Sequence, residues 1–324
     1  MKNMPVIQVY ALGGTIAMTP DASSGVTPSL DANALISAVP GLSDIADIRA
    51  ENVAAIGSAN ISIKMIQSLC EMIKRSDADG FVITQGTDTM EESSFIASLL
   101  YSGSKPIVFT GAMRAAMQPG ADGPNNLYNA VLVAGSYHAP RVSVVMNGEI
   151  HDPWHVAKEH TVALSAFVSE YAGPIGYVIE QKVQIRSAPT SIESALTVAS
   201  IIPNVLTVTA GLEVDVNLLR NIEKLGYQGV VVEALGAGHV SEDWADALGE
   251  LAQRIPVLLA TRASCGPVLE SSYGYKGAEI DLISRGLLPC GALKGRKARL
   301  LLMVLLSSQP EDWKANFLKL VKEL

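Results

Sequence analysis

The chain has 324 residues, 17% of them charged, with a net charge of −8 at pH 7 and no run of basic residues, which argues against nucleic acid or an anionic membrane as partner. With 48% hydrophobic residues and a mean hydropathy of +0.27, it has material for about two cores and for apolar surface buried between subunits. The longest apolar run, residues 300–306, is seven residues and reads as a core helix, well short of the ~20 that span a bilayer.

In chain order, residues 6–12 form an apolar run that reads as a strand and exits on Gly13-Gly14. Paired glycines there permit positive φ and close approach of backbone to a ligand. They leave Thr15 on the carboxyl edge of the sheet, where open α/β folds place their chemistry. The third glycine of a dinucleotide-binding loop is missing. Residues 17–29 are rich in Gly, Ser, Thr, Pro and Asp, so they are expected to be mobile without ligand. The stretch Gly57-Ser58-Ala59-Asn60 reads as a loop with a helix N-cap, and Ile63, Ile66, Leu69, Cys70 and Ile73 mark one helix face.

A second strand, 80–84, runs into Gln85-Gly86-Thr87-Asp88-Thr89-Met90-Glu91 and then a helix over 93–101. Thr89 with Glu92 makes a capping box, which leaves Thr87 and Asp88 unexplained by capping. Further strands over 106–110 and 142–146 flank a helix over 125–134. This alternation predicts a parallel sheet covered by helices on both faces. Residues 181–204 break the rhythm. Alternation resumes with strands at 205–208, 229–233 and 257–260, and Ser241 with Glu242 and Asp243 reads as a capped helix start. The expected organisation is an N-terminal α/β domain over 1–190, a linker over 191–204 and a smaller C-terminal α/β domain over 205–324.

Cys70, Cys265 and Cys290 are odd in number and widely spaced, which argues against a disulfide framework. Lys2 precedes an apparent strand with no signal-peptide hydrophobic region, so the expected location is the cytoplasm. A Gly-x-Ser-x-Gly elbow is absent, and Cys265, in an apolar neighbourhood, reads as inert. His151, His155 and His160 have Pro153 between them and no His-Glu-x-x-His pattern, so no metal and no cofactor is expected. What remains is Thr15, Thr87 and Asp88. A threonine hydroxyl is a poor nucleophile without help, and a lysine beside a carboxylate can provide it.

Together, Leu12-Gly13-Gly14-Thr15-Ile16-Ala17 and the segment from Gln85 to Glu91 resemble the bacterial-type L-asparaginase and glutaminase-asparaginase family. The likeness continues through Gly111-Ala112-Met113-Arg114, the stretch from Ala121 to Ala130, Val144-Val145-Met146-Asn147-Gly148 with Lys158, and Lys297-Ala298-Arg299. The resemblance implies that Thr15 attacks a side-chain amide, giving an acyl-enzyme and ammonia. Thr87, Asp88 and Lys158 would then move protons and activate water, although which threonine attacks first stays open. Ser58 would bind the substrate α-carboxylate and Asp88 the α-ammonium, with Gly14 and Gly86 offering backbone around the substrate. It also implies a homotetramer built from dimers, with the small amino-acid amide as the other partner.

The chain departs from the family's pattern at several places. No tyrosine lies between Met18 and Ser29, and the matching position falls near Gly25. Ala59 follows Ser58 where Gln or Glu is common. His239 and Tyr273 stand near positions often held by Asn and Glu, which in the family reach a neighbour's active site. The leading expectation is an amidohydrolase converting L-asparagine to L-aspartate and ammonia. The alternatives are a weakly active or non-hydrolytic amino-acid-binding relative, or an amidase for glutamine, D-asparagine or a small peptide amide.

Overall fold

The computed structural model describes residues 4–14, 16, 18–21, 25–28, 32–192, 194–322 and 324, with 18–21 and 25–28 as backbone. The chain divides into two compact units, Met1–Ala195 and Leu196–Leu324. The larger runs β1 (Val6–Ala11), β2 (Met18–Asp21), β3 (Gly25–Pro28), α1 (Ala32–Ser37), β4 (Asp47–Asn52), α2 (Ile63–Arg75), β5 (Gly80–Thr84) and α3 (Met90–Leu100). It continues β6 (Ile107–Thr110), α4 (Gly123–Ala134), β7 (Val142–Met146), β8 (Glu149–His151), β9 (Ala157–Lys158), β10 (Phe167–Val168), β11 (Gly176–Ile179) and β12 (Lys182–Ile185).

Eight of these strands form one sheet in the order β12-β11-β8-β7-β6-β5-β1-β4. The five from β4 to β7 are parallel, as the alternation predicts. The other three join through antiparallel pairings. The cause is local: Asn147 and Gly148 take left-handed φ values of 51° and 80°, and this two-residue turn folds β7 directly back as β8. Residues 182–185, within the stretch where the rhythm breaks, form one edge strand.

Strands β5, β6 and β7 are buried along their whole length, because both faces of the sheet are covered. Ile7, Val9, Val82, Val108 and Val145 pack with Leu35 of α1 and Leu127 and Val131 of α4. Alternate residues such as Phe81, Ile83, Phe109 and Val144 point the other way and are equally buried. There α3 packs on β6, β7 and α2, and each such side chain stabilises by about 1.5–3 kcal/mol. The cap of α2 falls on Ser62, whose Oγ accepts the Met65 N–H at 3.2 Å, rather than within residues 57–60. Thr89 sits at the N-cap of α3 without a side-chain cap bond, and its Oγ1 donates to the Ser58 carbonyl at 2.8 Å. A tertiary tie thus takes the Thr89 hydroxyl that the expected capping box would use.

The smaller unit runs β13 (Val205–Thr209), α5 (Asn217–Asn221), β14 (Gly229–Ala234), α6 (Glu242–Ala252), β15 (Val257–Thr261), α7 (Glu279–Ser284), β16 (Leu288–Pro289), α8 (Gly295–Ser308) and α9 (Trp313–Lys322). Its four strands are parallel in chain order. Val230, Val232 and Leu259 pack with Ile222, Trp244 and Leu248 on one face, and α8 packs on the same sheet. Ser241 occupies the N-cap of α6 but makes no side-chain cap bond, so Glu242 and Asp243 act there through the helix dipole. Among the described residues, no helix is long and apolar enough to cross a membrane.

Candidate active site

Strands β1 and β5 are parallel neighbours, with Ala11 beside Thr84, so their carboxyl ends open on the same edge. Gly14 has φ +90°, and a Cβ there would lie 2.1 Å from the backbone nitrogen of Gly86. Only glycine lets the β1 exit cross the β5 exit this closely. Thr15, the expected nucleophile, lies outside the described residues.

Beyond Gly86, residues Thr87–Thr89 form a single 3-10 turn that leads into α3. Thr87 is buried, whereas the Asp88 side chain is 77% exposed. Lys158 arrives from β9, a two-residue strand paired with β10. Its Nζ donates to Thr87 Oγ1 at 2.8 Å and to Asp88 Oδ1 at 2.6 Å. Three of the four catalytic candidates therefore converge across 70 to 71 residues of chain. With Lys158 as donor, the Thr87 hydroxyl keeps its own proton to offer; with a neutral amine, the same line of atoms carries the proton from Thr87 to Lys158.

Ser58 is buried in the short turn Ser58–Asn60. A Cβ on Gly86 would stand 2.9 Å from its Oγ, so that hydroxyl faces the Gly86 backbone. The Thr89–Ser58 bond fastens this turn to the start of α3. Gly14, Ser58, Gly86 and Thr87 thus share one corner, with Ala59 exposed beside it. Gly25, at the position expected for a lid tyrosine, pairs with Asp21 in the β2–β3 ribbon.

Three supporting residues had no assigned role in the sequence reading. Asn126 is buried and donates through Nδ2 to the Gly111 carbonyl and Asp122 Oδ2, both at 3.0 Å, while its Oδ1 accepts the Asn147 N–H. Asp122 also accepts the N–H groups of Met113 and Arg114. These bonds lash the β6 exit to the β7–β8 turn. The third is Glu91, whose Oε2 accepts the Lys158 backbone N–H at 2.7 Å. An available signal was the amide-and-carboxylate pair at i and i+4, Asp122 and Asn126, at the start of α4.

The three histidines have separate partners. His151 Nδ1 pairs with Ser169 Oγ at 3.1 Å and its Nε2 lies 3.4 Å from Glu149 Oε2. His155 reaches Thr190 at 3.5 Å, and His160 Nδ1 accepts the Val162 and Ala163 N–H groups. Cys265, expected in an apolar neighbourhood, is exposed. In the smaller unit, His239 lies 3.2 Å from the buried Glu279 carboxylate and 3.1 Å from the Tyr275 hydroxyl, with Tyr273 packed edge-on to its ring.

Residues 6–191 match the family described as Asparaginase, N-terminal, and residues 204–316 match the Glutaminase/Asparaginase C-terminal domain. The chain is 34% identical to a protein of Haemophilus influenzae named "Probable L-asparaginase periplasmic" and 32% identical to "L-asparaginase 2" of Escherichia coli. Each comparison covers 94% of this chain and 89% of the relative. It is also 31% identical to "Glutaminase-asparaginase" of Pseudomonas fluorescens, over 94% of this chain and 87% of that one. The strand-exit corner and both matched domains lead to one conclusion: the chain belongs to the asparaginase family.

Proposed function

We propose that the chain hydrolyses L-asparagine to L-aspartate and ammonia, with Thr15 as nucleophile. The observation that most supports this is Lys158 Nζ, 2.8 Å from Thr87 Oγ1 and 2.6 Å from Asp88 Oδ1, beside the corner of Gly14, Ser58 and Gly86. The Thr15 hydroxyl oxygen attacks the side-chain amide carbon and its proton ends on the departing nitrogen. Ammonia leaves and an ester links the acyl group to Thr15. A water positioned by Thr87 then gives a proton towards Lys158 and adds to the ester carbon. The Thr15 oxygen recovers a proton as L-aspartate departs. Asp88 receives the substrate α-ammonium on its exposed side, and Ser58 Oγ donates to the α-carboxylate.

The reaction is proposed to need no cofactor. The proposed assembly is a homotetramer of about 137 kDa, four chains of 34.2 kDa built as paired dimers, supported by the chain's apolar content. A cytoplasmic location is proposed on the three unpaired cysteines. Sedimentation and cell fractionation test these two points. The function is tested by ammonia release from L-asparagine, L-glutamine, D-asparagine and a peptide amide, beside a Thr15→Ala control. L-asparagine turnover far above that control is the expected result. Saturable binding of L-asparagine without turnover would replace the enzyme with an amino-acid sensor.

A further inference from the structure

We infer that Glu91 is a positioning residue that sets the reach of Lys158 towards Thr87. The inference rests on the reading of Lys158 given above. Glu91 lies in the first turn of α3, four residues after Thr87 and three after Asp88, and is only 1% exposed. A carboxylate in a helix's first turn is ordinarily a solvated complement to the dipole. Here it is turned inward, and its Oε2 accepts the Lys158 backbone N–H at 2.7 Å.

Geometry gives this bond its importance. Lys158 belongs to a two-residue strand that, among the described residues, pairs with the two-residue β10 outside the main sheet. Val156, Ala157 and Phe167 are buried in this ribbon, and the bond from the Lys158 N–H to Glu91 fixes its backbone against the start of α3. Thr87 lies in the 3-10 turn that leads into α3, four residues before Glu91, so Glu91 holds the main chain of Lys158 at the start of α3 while the lysine's four-carbon stem reaches back to Thr87 Oγ1 at 2.8 Å. Both ends of Lys158 are then referenced to the same run of chain, 87–91. A displacement of α3 carries hydroxyl, carboxylate and amine together, so their spacing is kept.

The test compares two replacements of similar size. Glu91→Gln keeps an acceptor oxygen, and its kcat should stay within roughly five-fold of the parent. Glu91→Met conserves volume but removes the acceptor, and its kcat should fall on the order of 10²-fold, as for a reacting group misplaced by about 1 Å. KM should change by less than about three-fold, because the tie acts on the amine and not on bound substrate. Thermal unfolding accompanies each measurement. Should the methionine variant not fold, Glu91→Asp, which withdraws the oxygen by one methylene, should lose about ten-fold in kcat while Gln does not.

A double-mutant cycle with Lys158→Met separates positioning from a general structural role. If Glu91 acts through Lys158, the double variant should match Lys158→Met alone to within about three-fold. Additive losses would overturn the inference, as would parental kcat in Glu91→Met. Full turnover in Lys158→Met would remove the reading of the site and this inference with it. Collapse in Lys158→Met with parental turnover in Glu91→Met would remove this inference alone.

Discussion

Lys158→Met should separate catalysis from stability. The substitution keeps the aliphatic stem and deletes the amine that bridges Thr87 Oγ1 and Asp88 Oδ1. The ion pair is half in water, since the lysine side chain is 15% exposed but its aspartate partner 77%. Such a pair stabilises by about 0–1 kcal/mol, and the bond to Thr87 adds about 0.5–1.5 kcal/mol. The folded state should therefore lose about 1–2 kcal/mol, a fall in Tm of a few degrees at roughly 2–4 °C per kcal/mol. The transition state loses more. Removing a proton-transfer group typically costs 10²–10⁴-fold, about 2.7–5.4 kcal/mol at 1.36 kcal/mol per decade. The assay is ammonia release at saturating L-asparagine, paired with thermal unfolding of the same preparation. Turnover within about ten-fold of the parent would refute the reasoning. So would a fall in Tm beyond about 10 °C, since unfolding and not lost chemistry would then explain the loss.

Gly14→Ala puts a Cβ 2.1 Å from the Gly86 nitrogen at φ +90°; strain and overpacking together should destabilise by about 2–5 kcal/mol and abolish turnover, read as a lowered urea midpoint. Burial pushes the thiols of Cys70, to about 12, and of Cys290 up, whereas Cys265 is exposed. A thiol reagent should therefore label one cysteine quickly in the native protein and all three after denaturation, and a second fast thiol would contradict the packing. Burial pushes the Glu279 carboxyl up, but hydrogen bonds from the Tyr273 and Ser272 N–H groups and from His239 outweigh it and hold the carboxyl below its ordinary 4.5. Its stabilising contribution is fully present above that value and is lost as pH falls through the lower folded one, so Glu279→Gln should flatten the acid limb of a stability–pH curve. Ala59 stands exposed beside Ser58, and Ala59→Gln should lower KM for L-asparagine by about 10-fold or more by adding a hydrogen bond to the charged substrate ammonium; an unchanged KM would place the ammonium elsewhere.

What could be read from the chain depended on where each residue's partner lies. Strands 80–84 and 142–146 were legible to the residue because their continuous apolar runs answer to burial on both faces. The strands β8, β11 and β12 were not, since they are three or four residues long and show no periodicity. Two turns of left-handed residues reverse the chain there, Asn147-Gly148 into β8 and Glu180-Gln181 into β12. Thr89 and Glu92 looked like a local pair, yet the Ser58 carbonyl, 31 residues away, took the hydroxyl. Local patterns therefore name a donor reliably and its acceptor poorly, because tertiary packing can offer a buried carbonyl that the helix end cannot match. The site follows the same division. Thr87 and Asp88 are marked by a strand-to-helix junction that lies within a few residues of them. Lys158 is reached only through resemblance, and Glu91 draws no role from its neighbours, because the bonds that define both cross 67 to 71 residues. Residues whose work is done across such distances carry no signature in their neighbours; their identity is legible only when both ends of the contact are known to share a strand edge.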